Sequence, residues 1–546
     1  MPLHWRAPLP AIVSLSILCP LSWSQSPDSE SRLAKPSKIK PSTNPSASPL
    51  PLGCRARLGD GASMFLCTAF SPDGKLLASG GYGKTITLWD PTTGMAVRKW
   101  DGPEGNIASL TFSPNGLLLA SGSVYDPAVH LWDASTGKKV RSLQGLPRGT
   151  SSLAFSPDGA ILAAGGYHTE EVHLWKVATG EPMPSLSGPS VPCRELDGQP
   201  RTVRDFSHVA FAPDGKNLAS GHLYGLIRIW DAKSFREVRH FRGPITDAFV
   251  HVAFSADSRF LAGWGTTIRL WRSDAWKQFR FLGEQPEMRV ACLAVSPDGR
   301  MLASGSAGRE LGDDKIHIWE VATGSERCQL TGHRFAIASL VFSPDGKTLV
   351  SGSRDGTALI WAVCELPQAA PAKTELSQPE LEMHWQELAD SEAPRAFHAI
   401  RALTHAPRQA VPFLKTRLLP IYRVEDRRVR ELVAVLESDR FRERQQAMEE
   451  LAMQVELVEP ALRQALSDGA SAESRRRLEE VLHTRERDLF SPRQLQVLRG
   501  IEVLENTDTP DAEKILKELA GGTAGFQITR AAAASLARLQ KRTSGR

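Results

Sequence analysis

Between residues 53 and 364 the chain alternates apolar and polar positions in short bursts, the period-two pattern of half-buried strands. Leu110-Thr111-Phe112 is one such burst, and Ser-Pro-Asp-Gly or a near variant follows each. In that tetrapeptide Pro fixes φ and Gly permits φ > 0, so the chain turns. Leu-Ala-Ser-Gly predicts a second strand and Ile86-Thr87-Leu88-Trp89 a third. Thr92-Thr93-Gly94, Ser135-Thr136-Gly137, Ala178-Thr179-Gly180 and Ala322-Thr323-Gly324 then turn into a fourth. Two anchors recur in register: Phe70, Phe112, Phe155, Phe211, Phe254, Val295 and Phe342, then Trp89, Trp132, Trp175, Trp230, Trp271, Trp319 and Trp361. The Trp-to-Trp spacings are 43, 43, 55, 41, 48 and 42, close to the 40–45 residues of a four-stranded propeller blade. One four-stranded sheet cannot cover both its faces, whereas seven around an axis cover one another. The expected fold is therefore an all-β, seven-bladed propeller.

These anchors resemble the WD-repeat family over residues 53–364. The Trp-Asp pair itself stands at Trp89-Asp90, Trp132-Asp133 and Trp230-Asp231, with Lys176, Arg272, Glu320 and Ala362 elsewhere. The family's Gly-His pair occurs at Gly332-His333. With Ser351, Asp355 and Trp361 it implies the family's His-Ser-Asp-Trp hydrogen-bonded set in the last blade. Other blades lack that His, so packing is expected to hold most of the ring. After Trp361 no fourth strand precedes the Pro-rich stretch, and counting back from Phe70 makes residues 53–58 the outer strand of blade seven.

Beyond a linker at 365–376 the apolar period shifts from 2 to 3.6. Leu381, Trp385 and Leu388 share a face, as do Val429, Leu432, Val433 and Leu436. Ser491-Pro492-Arg493-Gln494 is a capping box, and Thr509-Pro510 opens a further helix. Residues 377–546 are thus expected to be a separate all-α domain of HEAT-like stacked helices. Trp385-Gln386-Glu387-Leu388 and Ala396-Phe397-His398 resemble the tails of exported, planctomycete-type WD-repeat proteins.

Composition adds a location. Arg6, the apolar run 11–18 and Ser22-Trp23-Ser24 read as a signal peptide at 1–24, followed by a Ser/Pro/Lys-rich flexible tether at 25–52. That implies an exported, periplasmic or extracellular protein; a cytoplasmic one is the alternative. A net charge of +5 spread over 546 residues defines no nucleic-acid surface. No transmembrane segment is expected once the signal is removed.

No nucleophile elbow, zincin motif, Cys-x-x-Cys or Walker loop occurs, so no enzyme and no cofactor are expected. Three residues before their strand anchors stand His208, His251 and Cys292, at one height on the inner strands of blades four to six. Imidazole, imidazole and thiolate suit zinc or copper; the same positions, small and polar in other blades, also serve packing between blades. Cys364 aligns with Thr92 and Cys54 with Ala96, which makes the pair a candidate disulfide across the seam where the ring closes. Insertions at 188–204 and 307–314 lengthen two loops on one rim, and such departures from a scaffold's repeat are where binding residues gather. The reading is a non-catalytic protein–protein interaction scaffold, probed by a protein or peptide partner on that rim, in the bacterial cell envelope. A metal-dependent propeller enzyme and a cytoplasmic signalling scaffold are the alternatives, and the oligomeric state stays open.

Overall fold

The computed structural model describes residues 49–59, 64–166, 169, 171–189, 193–194, 200–201, 207–222, 225–242, 251–265, 267–282, 290–306, 314–363, 374–422, 426–453, 462, 465–466, 471–483, 490–522 and 527–544. Seven four-stranded antiparallel sheets carry the repeats, each with strands a to d in spatial order from the axis outward. Blade one is Phe65–Phe70, Leu77–Gly81, Thr85–Trp89 and Ala96–Asp101; blade two is Ile107–Phe112, Leu118–Ser123, Val129–Asp133 and Lys139–Leu143. Blade three is Thr150–Phe155, Ile161–Gly166, Val172–Lys176 and Pro182–Leu186; blade four is Ser207–Phe211, Asn217–His222, Leu226–Asp231 and Glu237–Arg242. Blade five is His251–Phe254, Phe260–Trp264, Ile268–Arg272 and Gln278–Leu282; blade six is Val290–Val295, Met301–Ser306, Ile316–Glu320 and Glu326–Leu330. Blade seven takes strands a to c from Ile337–Phe342, Thr348–Ser353 and Ala358–Ala362, and its outer strand, β1, from Cys54–Leu58. β1 runs antiparallel to Ala358–Ala362 with Cys54 opposite Trp361, so the two ends of the ring are joined by a strand ladder.

The Leu-Ala-Ser-Gly strands lie between neighbouring blades, and their small residues are what the neighbours require. A Cβ on Gly122 would stand 2.5 Å from Thr150, and one on Gly305 2.7 Å from Ile337, in each case the first inner-strand residue of the following blade. Strand b is accordingly buried along its length, while the outer strand of blade one is mostly exposed. Close packing of this kind leaves no room for an added methyl.

Nine helices follow among the described residues: α1 (Gln378–Glu387), α2 (Ala393–His405), α3 (Pro407–Tyr422), α4 (Asp426–Val435), α5 (Phe441–Met453), α6 (Ala472–His483), α7 (Pro492–Thr507), α8 (Pro510–Ala520) and α9 (Gln527–Ser544). Ser491 caps α7 reciprocally with Gln494, and Thr509 accepts the Ala512 N–H at the start of α8. Leu381, Trp385, Ile400, Leu403, Leu414, Leu418, Ile501, Leu504, Leu516 and Leu539 share one core. Leu432, Leu436, Leu451, Leu478 and Val481 form another. So α1–α3 pack with α7–α9 across the intervening α4–α6. A repeat stack joins each unit only to its sequence neighbours; this order departs from the HEAT-like stack that the helical period suggests, because period reveals which face is apolar and not which helix covers it.

Helix α7 meets the ring through charge. Arg499, Glu502 and Glu505 fall at i, i+3 and i+6, on one face. Arg499 donates from Nε to Glu320 Oε1 at 3.0 Å and from Nη2 to Oε2 at 2.5 Å. Arg327 of blade six donates to Glu320 at 2.7 Å and to both Glu502 oxygens at 2.8 and 3.0 Å. Its guanidinium also lies 5.3 Å from the ring centre of Phe397, which is buried against blades six and seven. Arg300 donates to Glu505 at 2.9 Å and to Ser535 at 3.0 Å, and Arg538 donates to Glu505 at 2.7 and 2.8 Å. Glu320, Arg327, Arg499, Glu502 and Glu505 are each at most 5% exposed. Burial alone would push Glu320 up, but Arg327 and Arg499 hold it at about 2. Burial likewise opposes the charge on Arg327, which Glu502 and Glu320 restore.

Two outcomes follow from this interface. Arg327→Ala removes the guanidinium that bonds both Glu502 oxygens and leaves buried Glu320 to Arg499 alone, and should cost roughly 3–5 kcal/mol of docking; limited proteolysis should then cut between ring and helices where the parent resists. The Glu320 contribution is fully present above its ordinary value of 4.5 and drains as pH falls toward about 2. Scattering profiles should therefore show the two parts separating in that window and staying together at pH 7.

Candidate functional site: the open rim

Antiparallel alternation sends all a–b and c–d turns to one rim and all b–c and d–a loops to the other. The first rim is saturated with its own hydrogen bonds. Ser71 donates to Asp73 at 2.6 Å and Asp73 accepts the Lys75 N–H at 3.1 Å, a pattern repeated at Ser156-Asp158, Ser296-Asp298 and Ser343-Asp345. Asp90 and Asp133 accept N–H groups of their c–d turns at 2.7 Å. Asp133 is held at about 2 by Ser135 and Thr136. Among the described residues this is also the rim that the helices touch, through Arg300 and Lys347 in a–b turns and Glu320 at a c–d turn.

The opposite rim presents apolar and aromatic side chains to solvent. Met64, Tyr82, Tyr125 and Phe335 are 41%, 43%, 70% and 47% exposed, on the adjoining blades one, two and seven. Tyrosine placement along the chain is uneven in the same sense. Of five tyrosines, Tyr82, Tyr125, Tyr167 and Tyr224 all fall between strands b and c, in blades one to four. The signal lies in position rather than number, and aligning the b–c segments GGYGK, GSVYDP, GGYHTE and GHLYGL brings it out. Tyr167 and Tyr224 themselves lie outside the described residues.

The insertion at 188–204 starts on this rim, where Arg228 donates to Pro189 O at 2.7 Å and to Glu237 at 2.6 Å. Within it Cys193–Arg194 pairs antiparallel with Pro200–Arg201. The rest of that loop, and 307–313 of the second insertion, lie outside the described residues. Its ends at Ser306 and Ile316 belong to strands b and c, and so to the same rim.

Blade seven supports Phe335 directly. His333 shares hydrogen bonds with Asp355 at 3.0 Å and Ser351 at 2.7 Å, and Ser351 accepts the Trp361 indole N–H at 2.8 Å. Asp355 also accepts the Arg334 N–H at 2.9 Å, and Ser353 donates to the Phe335 carbonyl at 2.9 Å. Burial would raise the Asp355 carboxyl, but His333 and Thr357 hold it at about 2. The indole–serine half of this set runs further than packing alone would give. Trp89, Trp132, Trp230 and Trp319 donate to Ser79, Ser121, Ser220 and Ser304 at 2.7–2.9 Å. Blade three has Ala164 at the serine position, and Trp175 donates to the Gln144 carbonyl instead. In blade five Trp271 packs over Gly263. Blade four recruits an unpredicted histidine, His222, whose Nε2 lies 2.9 Å from Ser220; burial and then Arg228 push its pKa down to about 3.

His208, His251 and Cys292 are not drawn into one ligand set. The two imidazole rings meet edge-on, 4.8 Å between centres, and His251 stacks on Trp264 at 5.3 Å. Cys292 points away from both histidines, toward the blade that follows its own, and donates to the Ile337 carbonyl of blade seven at 3.3 Å. The position works as a tie to the following blade: Ser109 accepts the Leu153 N–H, Ser152 the Val209 N–H, and His208 Nδ1 the Val252 N–H. Burial drives His208 well down and His251 to about 4, so both are neutral at physiological pH. Cys54 stands opposite Trp361 as Ala96 stands opposite Trp89, its thiol 3.2 Å from the Ala56 carbonyl, and among the described residues it is bonded to no other cysteine. Cys364 lies outside the described residues.

Seven four-stranded blades closed by a strand from the other end of the ring define a seven-bladed β-propeller. The family comparison agrees. Residues 56–90, 94–133, 137–176, 190–231, 235–272, 277–320 and 324–362 match the WD domain, G-beta repeat, about half of the chain in seven copies, and the protein belongs to that family. It is similar to "Periodic tryptophan protein 2 homolog" of Dictyostelium discoideum, 32% identical over 164 residues, which cover 30% of this chain and 17% of the relative. "Periodic tryptophan protein 2" of Arabidopsis thaliana is 29% identical over 161 residues, 29% and 17% of the two chains. "WD repeat-containing protein 18" of Homo sapiens is 34% identical over 84 residues, 15% and 18% of the two. The matched segment thus spans less than a fifth of each relative.

These relatives are eukaryotic WD proteins and not exported bacterial ones, which overturns the expected periplasmic or extracellular location. The physical reason is the weakness of the signal: the run 11–18 is interrupted by Ser14 and Ser16 and bracketed by Pro10 and Pro20, too slight a pattern to specify an address. Residues 1–24 lie outside the described residues. No helix among those described is long and apolar enough to cross a membrane.

Asp355→Asn should loosen the Phe335 loop, because the Arg334 N–H and His333 both lose a charged acceptor. A cost of about 1–3 kcal/mol is expected, read as a lower urea midpoint with unchanged m-value and faster amide exchange at residues 333–336.

Proposed function

We propose that the protein is a non-catalytic interaction scaffold whose open rim takes a protein or peptide partner. One observation carries this reading: the helices occupy the saturated rim through buried ion pairs, while Met64, Tyr82, Tyr125 and Phe335 stand exposed on the other. Tyrosine suits such a surface because it offers large amphipathic area at low entropic cost. Exposed aromatics on a rigid ring are spared the ordering penalty that weakens binding by mobile loops. The insertions at 188–204 and 307–314 extend the same rim and widen the contact available to a partner. The helical domain acts as a fixed second surface, since its orientation is set by Arg499, Glu502 and Glu505.

The test is partner capture by the full chain. Tyr82→Ala with Tyr125→Ala should weaken binding by roughly 2 kcal/mol, about thirtyfold in Kd, if the pair forms a hot spot. Met95→Ala and Leu117→Ala, exposed on the saturated rim, should leave it unchanged. Deleting 191–203 should also weaken capture. Equal capture by the tyrosine variant, the deletion and the parent would refute the assignment of the rim.

A further inference from the structure

We propose that His384, Glu387 and His398 form a divalent-metal site of the zinc type at the corner between α1 and α2. His384 and Glu387 lie at i and i+3 in the last turn of α1, which puts them on one side of the helix. His398 comes across from α2, its ring centre 5.6 Å from that of His384. One ligand atom from each residue falls within 4.8 Å of the other two, and His384 Nδ1 and Glu387 Oε2 are already 2.9 Å apart. Ligand atoms around a tetrahedral zinc with bonds of about 2.0–2.2 Å stand roughly 3.4 Å from one another. His398 is exposed, which leaves its side chain room to turn toward the other two ligands.

The surroundings suit a bound cation. Arg395 Nε lies 3.5 Å from Glu387 Oε1 and its Nη1 3.4 Å from Asp390. The guanidinium thereby steadies the carboxylate through one oxygen and leaves Oε2 on the side of the imidazoles, the outer-shell arrangement that orients metal ligands. Two imidazoles and one carboxylate with no thiolate match zinc sites that keep a fourth position for water. His384 is buried, Glu387 half-buried and His398 exposed, so the cluster is reached from solvent on the His398 side.

A metal here would act on the interface as well. Arg499, which pairs with Glu320 of the ring, also donates to the carbonyls of Leu388 at 2.7 Å and Asp390 at 2.6 Å, both in the segment between α1 and α2. Gln496 donates to the Trp385 carbonyl at 2.7 Å. Zinc bridging α1 and α2 therefore stiffens the backbone that holds Arg499 in place.

Equilibrium dialysis of the chelator-treated full chain against zinc chloride, with metal counted by mass spectrometry, tests the site. One zinc per chain is expected. His398→Ala and Glu387→Gln should each weaken uptake at least about tenfold, whereas His405→Ala, on the same helix with its ring bonded to the Arg401 carbonyl, should not. His398 is exposed, so its variant should keep the parent's circular dichroism and melting temperature without metal. Cobalt should give the strong visible absorption of a four-coordinate centre in the parent and not in His398→Ala. Zinc uptake that is equal in parent and His398→Ala, or absent from the parent, overturns the proposal.

Discussion

A carboxylate taken out of water loses several kcal/mol of hydration, and only closely placed cations return it. Glu320 and Glu502 are buried at the base of blade six and on α7, and each is met by guanidinium groups that are buried with it. The contact withdraws charge from water on both sides: Glu320 with Arg327 on the ring, and Arg499, Glu502 and Glu505 on α7, where they sit among buried Leu495, Val497, Ile501, Val503 and Leu504. The pairing therefore fixes where the helices sit. It also decides which rim of the propeller is consumed by the protein itself and which is available to others.

The ring offers two chemically different rims because its turns do different work. On the a–b and c–d side, short Ser-Pro-Asp-Gly and Asp-x-Thr-Gly turns bond their own donors and acceptors and so form a stiff platform for the helices. On the b–c and d–a side, chain length and residue type vary, and aromatic side chains are held out on short loops pinned from below. Phe335 is pinned by the His333, Asp355 and Ser353 bonds, and Arg228 anchors the root of the longest insertion. A scaffold needs that combination: stiffness from the repeat and variety from the loops.

Much of the ring was legible in the sequence because two anchors per blade, seventeen to twenty-four residues apart, leave one register. The closing strand followed from counting alone. The indole–serine bonds do not need the family's histidine: Ser79, Ser121, Ser220 and Ser304 lie within Leu-Ala-Ser-Gly segments and accept from the blade tryptophans without it. Helix packing was less accessible. A 3.6 period shows that α1–α3 and α7–α9 have apolar faces and cannot say that they cover each other across α4–α6. The charged face of α7 was missed for a related reason: Arg499, Glu502 and Glu505 have the spacing of a solvated surface, and only the presence of Glu320 and Arg327 opposite makes them an interface. The tyrosines of the open rim carry a positional signal that composition conceals, and the short apolar run at 11–18 holds too little information to set a location.

The central claim is that partners meet the rim opposite the helices. Site-specific photocrosslinking in the full chain addresses it most directly, with benzoylphenylalanine placed in turn at Tyr82, Tyr125, Met95 and Leu117, all exposed. The account predicts covalent adducts to the same partner from Tyr82 and Tyr125 and none from Met95 and Leu117. Adducts from Met95 or Leu117, with Tyr82 and Tyr125 silent, would contradict it.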